Sequence, residues 1–217
     1  MKGAAFFDLD KTVFRRNTTP LYMRFLRRKG MTSMRDMASV LWWYTQYNLG
    51  WIDFEKVAEA AVSTVAGQEE AIMRDLVKEW CRDEVLGLIS DPARESIEWH
   101  RGRGEILVIL SGAADYLAEE IGEHLGIEHI LCTRLEVVDG RFTGRPIYPL
   151  AYGSGKVTLA RRLAREVGID LEKSFFYSDS VTDMPVFLAV GHPRAVNPDP
   201  FLRAQARIRG WPVLTWQ

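Results

Sequence analysis

The stretch Phe6-Phe7-Asp8-Leu9-Asp10-Lys11-Thr12 decides how this chain folds. An apolar run from Ala4 to Phe7 stops at two aspartates in a D-x-D-x-T arrangement. A short apolar run that ends in acids reads as a buried strand delivering carboxylates at its carboxyl end. Open α/β sheets bind their ligands along that edge. Two carboxylates buried there are costly unless a cation or fixed donors compensate them, so the pair points to chemistry with a metal.

Further segments repeat the pattern. Ile106-Leu107-Val108-Ile109-Leu110 ends in Ser111-Gly112, Lys156 heads an amphipathic stretch, and Phe175-Phe176-Tyr177 runs into Ser178-Asp179-Ser180-Val181-Thr182-Asp183. Strands are expected at 3–8, 105–110, 129–133, 174–178, 194–196 and 211–215. Between them Tyr116, Leu117, Ile121 and Leu125 share one helical face, as do Val157, Ala160, Leu163 and Val167. Asp91-Pro92 reads as a helix start, with the acid at the N-cap and proline at the first helical position. Such alternation implies a Rossmann-like α/β fold, a mostly parallel sheet covered on both sides. Asp139-Gly140, between alternating residues of Leu135 to Phe142, signals a small antiparallel hairpin. Residues 14–88 hold no convincing strand. Val57, Ala61 and Val65, then Ile72, Leu76 and Trp80, recur at helical spacing, so an all-helical insertion follows the first strand.

With 217 residues the chain can build one α/β domain plus a small insertion. A net charge of −1 gives no reason to expect a nucleic-acid partner. Cys81 and Cys132 form no C-x-x-C pair and read as reduced, buried thiols; with no visible signal peptide, a cytoplasmic protein is expected. The longest uncharged stretch, between Asp36 and Asp53, contains Leu41-Trp42-Trp43-Tyr44 but is interrupted by polar residues and glycine. It falls short of the roughly 20 apolar residues of a transmembrane span, and reads as a core helix of the insertion rather than a membrane-surface helix. Every charged residue from Lys11 to Arg35 is basic. The simple reading is a solvated helix face; the sharper one has some of these arginines drawing an anionic substrate to the site.

Taken in order, Asp8/Asp10/Thr12, Ser111, Lys156 and Asp179/Asp183 resemble the four motifs of the haloacid dehalogenase superfamily of phosphohydrolases. The long segment between the first and second motifs resembles its phosphoserine-phosphatase-like branch, subfamily IB, which inserts a helical cap there. The resemblance implies a core of residues 1–13 and 89–217 and a cap of 14–88. It implies a Mg²⁺-dependent phosphomonoesterase acting on a small phosphorylated metabolite. Asp8 is then the nucleophile and Asp10 the general acid and base. Asp8, Asp179 and the backbone carbonyl of Asp10 would hold Mg²⁺, with Asp183 behind them orienting Lys156 or a metal-bound water, one helical turn from Asp179. Ser111, Gly112 and Lys156 would hold the phosphoryl group; Thr12 would join them, orient Asp10 or cap its loop. The ending Val196-Asn197-Pro198-Asp199 resembles a poorly characterised group within the branch.

The chain also departs from the branch. Asn17 stands where phosphoserine phosphatases carry a glutamate for the substrate amine, Thr182 where they carry asparagine, and Ser111-Gly112-Ala113 where they carry Ser-Gly-Gly. Phosphoserine specificity does not follow; relatives act on phosphoserine, histidinol phosphate or other small phosphomonoesters. Rival readings fit less well. A calcium loop needs glycine at Val13 and glutamate at Thr19, and a nucleotide P-loop ending in Gly155-Lys156 needs glycine at Leu150 and Ser/Thr at Val157. A phospho-receiver has no such insertion, and a non-catalytic module would be expected to have lost Asp8 or Asp10. His100, His124, His129 and His192 form no ligand spacing.

Overall fold

In a computed structural model, which describes residues 1–32, 42 and 54–216, the apolar run Ala4–Phe7 forms β1, the middle strand of a seven-stranded sheet. The other strands are β2 (Ile106–Ala114), β3 (His129–Val138), β4 (Arg141–Ile147), β5 (Phe175–Ser178), β6 (His192–Val196) and β7 (Val213–Leu214). All six expected strands are present. Their order is β4-β3-β2-β1-β5-β6-β7, and every pairing is parallel except β3 with β4. The chain starts in the middle, winds outward through β2 and β3, then returns to β5 and winds the other way. The carboxyl ends of β1 and β5 therefore flank the point where the winding reverses, which is where open α/β sheets bind their ligands.

Alternation along the strands builds two cores. Ala5, Phe7, Ile109 and Tyr177 face α4 (Asp91–Gly102) and α5 (Asp115–Leu125). Ala4, Phe6, Leu110 and Phe176 face α6 (Ser154–Val167), the short α7 (Met184–Phe187) and α8 (Pro200–Arg209). No residue of β1 has any exposed surface, which is why its sequence is continuously apolar.

The described part of the insertion after β1 contains α1 (Thr19–Arg28), α2 (Phe54–Ser63) and α3 (Glu70–Trp80), with no strand. Phe25, Val77 and Trp80 are buried in the same cluster as Phe7 and Ile109, and the ring of Tyr22 lies 4.8 Å from that of Trp80. The insertion is also fastened to the β3–β4 hairpin. The amides of Gly67 and Glu70 donate to the carbonyls of Phe142 and Gly140 at 2.8 and 2.9 Å, and the Phe142 amide donates to Gln68 at 3.0 Å. The hairpin tip is Asp139-Gly140, both left-handed at φ 50° and 72°, as a two-residue type I′ turn demands.

Several local expectations need correction. Val167 and Ile72 are exposed, because the buried faces are Val157/Ala160/Leu163/Ala164 on α6 and Val77/Trp80 on α3. Ala61 is exposed and Val62 takes the buried position on α2. Ser90, not Asp91, caps α4: its hydroxyl accepts from the Ala93 amide at 3.3 Å, placing Asp91 and Pro92 in the first turn. β3 does not stop at Thr133 but runs straight into the hairpin. Both cysteines are free and buried. In the basic segment Arg28 pairs with Glu84 and Lys29 with Glu79, so these two cations are spent on neighbouring acids. Trp42 is exposed; Arg35, Trp43 and Tyr44 lie outside the described residues. Among the described residues no helix is long and apolar enough to cross a membrane.

Candidate active site

The β1–β5 pairing extends one rung past Phe7, where the amide of Asp8 donates to the carbonyl of Tyr177 at 3.0 Å. The chain then leaves the sheet in one wide turn, Leu9–Val13, closed by bonds from Val13 to Asp8 (3.3 Å) and from Phe14 to Leu9 (2.8 Å). Lys11 is left-handed in that turn, at φ 54°. A non-glycine residue adopts this only when its surroundings fix it.

Lys156 enters from the first turn of α6. Gly155 makes the entry possible, since a Cβ there would collide with the carbonyl of Leu150. The buried ammonium lies 2.9 Å from Oδ1 of Asp8 and 2.7 Å from Oδ2 of Asp183. Ser178 donates to the same Asp183 oxygen at 2.6 Å, and the Ser111 hydroxyl is close enough to Asp8 to favour its carboxylate. Burial alone would lower the Lys156 pKa, but Asp183 and Asp8 carry it above the ordinary lysine value. Burial raises the pKa of Asp8, against the pull of Lys156. Asp179 is pushed up to about 7 by burial and then by the charge of Asp8. Asp10 is pushed up to about 6, again by burial first, with its bonds to Thr18 opposing and Asp8 adding to the rise.

Asp8, Asp10, Ser111, Lys156, Asp179 and Asp183 are thus gathered at the reversal point of the sheet. Gly112 follows Ser111 as an exposed residue at the end of β2. Thr12 behaves differently. It is fully buried, its hydroxyl has no partner among the described residues, and it does not orient Asp10. That task belongs to Thr18, whose amide donates to Oδ1 of Asp10 at 2.9 Å. Asp179 and Asp183 do not share a helix either: a short turn at Val181–Asp183 lies between Asp179 and α7. Sequence reasoning missed Thr18 and Ser178. The signals available were the Thr18-Thr19-Pro20 helix start and the serine directly before Asp179.

The donor set fits a hard divalent cation. Asp8 and Asp183 contact the one ammonium, Asp179 lies within reach of the Asp8 charge, and Oδ1 of Asp183 is buried without a partner among the described residues. Among the described residues no three His, Cys, Asp or Glu side chains gather closely enough to hold an ion by themselves. Two carboxylates and a carbonyl, completed by water and phosphate, are what Mg²⁺ ordinarily takes.

The raised carboxyl values have a consequence for stability without metal. Unfolded Asp10 and Asp179 lose their protons near the ordinary value of 3.8, folded ones only near about 6 and about 7. Between those limits the folded state binds more protons, so stability falls as pH rises. In chelator at neutral pH, Asp10→Asn and Asp179→Asn are each expected to raise stability by about 1–2 kcal/mol, allowing for partial exposure. The gain should vanish below about pH 4, in the range of an unperturbed aspartate. Urea melts across pH check both statements.

A family model of haloacid dehalogenase-like hydrolases matches residues 5–188. The chain is 34% identical to a probable phosphatase of Mycobacterium tuberculosis, over 99% of this chain and 76% of that one. It is 29% identical to a histidinol-phosphatase of Neisseria meningitidis, over the full length of both. A solved protein of unknown function from Bordetella pertussis superimposes with a TM-score of 0.90 at 29% identity, over 99% of this chain and 98% of that one. A phosphoserine phosphatase, solved as a phospho-aspartyl intermediate analogue, shares the fold with a TM-score of 0.72 at 22% identity, over 100% of this chain and 94% of that one.

Proposed function

The chain belongs to the haloacid dehalogenase-like hydrolases, and on that premise we propose that it is a Mg²⁺-dependent phosphomonoesterase that transfers the phosphoryl group of a small metabolite to Asp8 and then to water. The observation that carries this is the buried ammonium of Lys156 between Asp8 and Asp183, beside Asp10 and Asp179. Residues 14–88 act as the cap and 1–13 with 89–217 as the catalytic core.

Ser111, Lys156 and the Gly112 backbone hold the phosphoryl oxygens. An oxygen of Asp8 forms a bond to phosphorus as the ester P–O bond breaks. Asp10, with a pKa near 6, carries the proton that the leaving alkoxide takes. As carboxylate it then accepts a proton from the water that attacks the aspartyl-phosphate, and the Asp8–phosphorus bond breaks to release inorganic phosphate. Thr18 keeps Asp10 aimed through both steps. Asp8, Asp179 and the Asp10 carbonyl would hold Mg²⁺, which when bound would neutralise charge on the phosphoryl group. Closure of the cap excludes water during the first step. A cytoplasmic setting, supported by the two free buried thiols, and the absence of a nucleic-acid partner, supported by the near-neutral net charge of −1, complete the proposal.

The test is a screen of the purified protein against phosphorylated metabolites with release of phosphate as the readout. Chelation should abolish hydrolysis, Mg²⁺ restore it and Ca²⁺ restore it poorly, because its looser coordination misplaces the nucleophile. Hydrolysis undiminished in metal-free protein would refute the Mg²⁺ requirement. Phosphoserine should be a poor substrate. Asn17 lies one residue before the Thr18 that bonds Asp10, and offers no carboxylate to a substrate ammonium. A missing charge-assisted bond lowers kcat/KM by roughly ten- to a hundredfold. Asn17→Glu should recover that factor selectively for phosphoserine. Full-length similarity to a histidinol-phosphatase makes histidinol phosphate the first alternative to try.

A further inference from the structure

The segment that closes β6, Asn197-Pro198-Asp199, touches both acidic loops while carrying no chemistry of its own. Nδ2 of Asn197 donates to the carbonyl of Lys11 at 2.9 Å and to that of Trp216 at 2.8 Å, while Oδ1 accepts from the Trp216 amide at 2.9 Å. Two residues on, the amide of Asp199 donates to the carbonyl of Asp179 at 2.8 Å. Its Oδ2 accepts from the Val181 amide at 2.7 Å, and its Oδ1 caps α8 through Leu202 at 2.8 Å. One junction between strand and helix therefore grips the turn that carries Asp8 and Asp10 with one side chain, and the loop that carries Asp179 and Asp183 with another.

Backbone strain marks the same connection. Among the described residues only Lys11, Asp139 and Asn197 are non-glycines with positive φ. Asp139 belongs to the hairpin tip. Lys11 at φ 54° and Asn197 at φ 43° are bonded to each other. A left-handed lysine relaxes toward ordinary backbone when nothing fixes its peptide, and that relaxation would move Asp10, its immediate neighbour in the turn.

We propose that Asn197 and Asp199 are positioning residues that brace the Asp8–Asp10 turn against the Asp179–Asp183 loop. The proposal rests on the functional reading above, because it assigns the brace to that phosphoryl-transfer site. A purely structural alternative is that Asp199 only caps α8 and Asn197 only pins the C-terminal segment.

Three variants of the full chain separate these. Asn197→Asp keeps the shape, tolerates left-handed backbone and retains an acceptor for the Trp216 amide, but loses both donated bonds. Asp199→Ser keeps one oxygen for the α8 cap and lacks the second for Val181. Trp216→Leu removes the ring stacked 5.3 Å from Tyr177 yet leaves its backbone bonds to Asn197. With p-nitrophenyl phosphate and saturating Mg²⁺, the first two should lose roughly ten- to a hundredfold in kcat with KM within about threefold, as misplacement of reacting groups does. Trp216→Leu should lower the melting temperature and leave kcat near wild type.

Hydrogen exchange supplies a readout without turnover: the peptide spanning Asp8–Phe14 should exchange faster in Asn197→Asp and unchanged in Trp216→Leu. Wild-type kcat and unchanged exchange in Asn197→Asp overturn the proposal, as does a Trp216→Leu protein that loses kcat equally. Should Asn197→Asp fail to fold, Asp199→Ser carries the kcat expectation alone, and wild-type kcat there overturns it. If wild type itself does not hydrolyse the ester, the functional reading falls while the exchange data still decide the brace.

Discussion

Asp8→Asn should fold as wild type does and lose hydrolysis of every accepted phosphomonoester by at least roughly a thousandfold. The carboxylate and its amide have the same shape, so the buried contacts of the β1 end survive the change. The amide nitrogen carries no free electron pair for phosphorus, and the remaining carbonyl is a poor nucleophile. Stability is expected to hold or rise, because burial already raises the Asp8 pKa, the mark of a charge the fold accommodates at a cost. Activity and stability therefore move apart, which distinguishes loss of the nucleophile from loss of structure. Steady-state kinetics beside urea melts read both.

Lys156→Met should have the opposite signature, losing activity and stability together. The methionine fills a similar volume but removes the one ammonium that touches both Asp8 and Asp183. Breaking a buried pair by deleting one partner typically costs about 3–5 kcal/mol. For a chain of this size that corresponds to a fall in melting temperature of roughly 6–20 °C. In chelator the deficit should shrink as pH falls, since the two orphaned acids then take up protons and the missing cation matters less. Lys156→Arg is no substitute, because its planar fork does not reproduce a point charge held between two carboxylates. A Lys156→Met protein as stable as wild type at neutral pH would show that the pair does not hold the site together.

The layout of the sheet was legible in the sequence because its central strands are buried on both faces. Ala4 to Phe7, Ile106 to Leu110 and Phe175 to Tyr177 are continuous apolar runs that end in the polar residues of the site. Asp139-Gly140 announced its hairpin, since few other dipeptides take two left-handed positions cheaply. Helical faces were read less accurately. Val167, Ile72 and Ala61 fit an apolar spacing but lie on the solvent side, and spacing alone does not say where a stripe stops. The meeting of Lys156 with Asp8 and Asp183 follows from family motifs rather than from any local pattern, as the three lie on separate elements, a strand end, a helix start and a short turn, brought together by the crossovers. The roles of Thr18, Ser178, Asn197 and Asp199 stayed hidden for a related reason. They act through hydrogen bonds to backbone or to other side chains, and no periodicity records such a partner.

The central claim is that a phosphoryl group resides on Asp8 during turnover. Rapid acid quenching of wild-type protein during hydrolysis of p-nitrophenyl phosphate, followed by peptide mass spectrometry, tests it directly. The expected result is one phosphoryl group on the peptide that contains Asp8, formed only with Mg²⁺ present and absent from Asp8→Asn. Sustained Mg²⁺-dependent hydrolysis with that peptide unmodified at every quench time, and with Asp8→Asn still turning over, would contradict it.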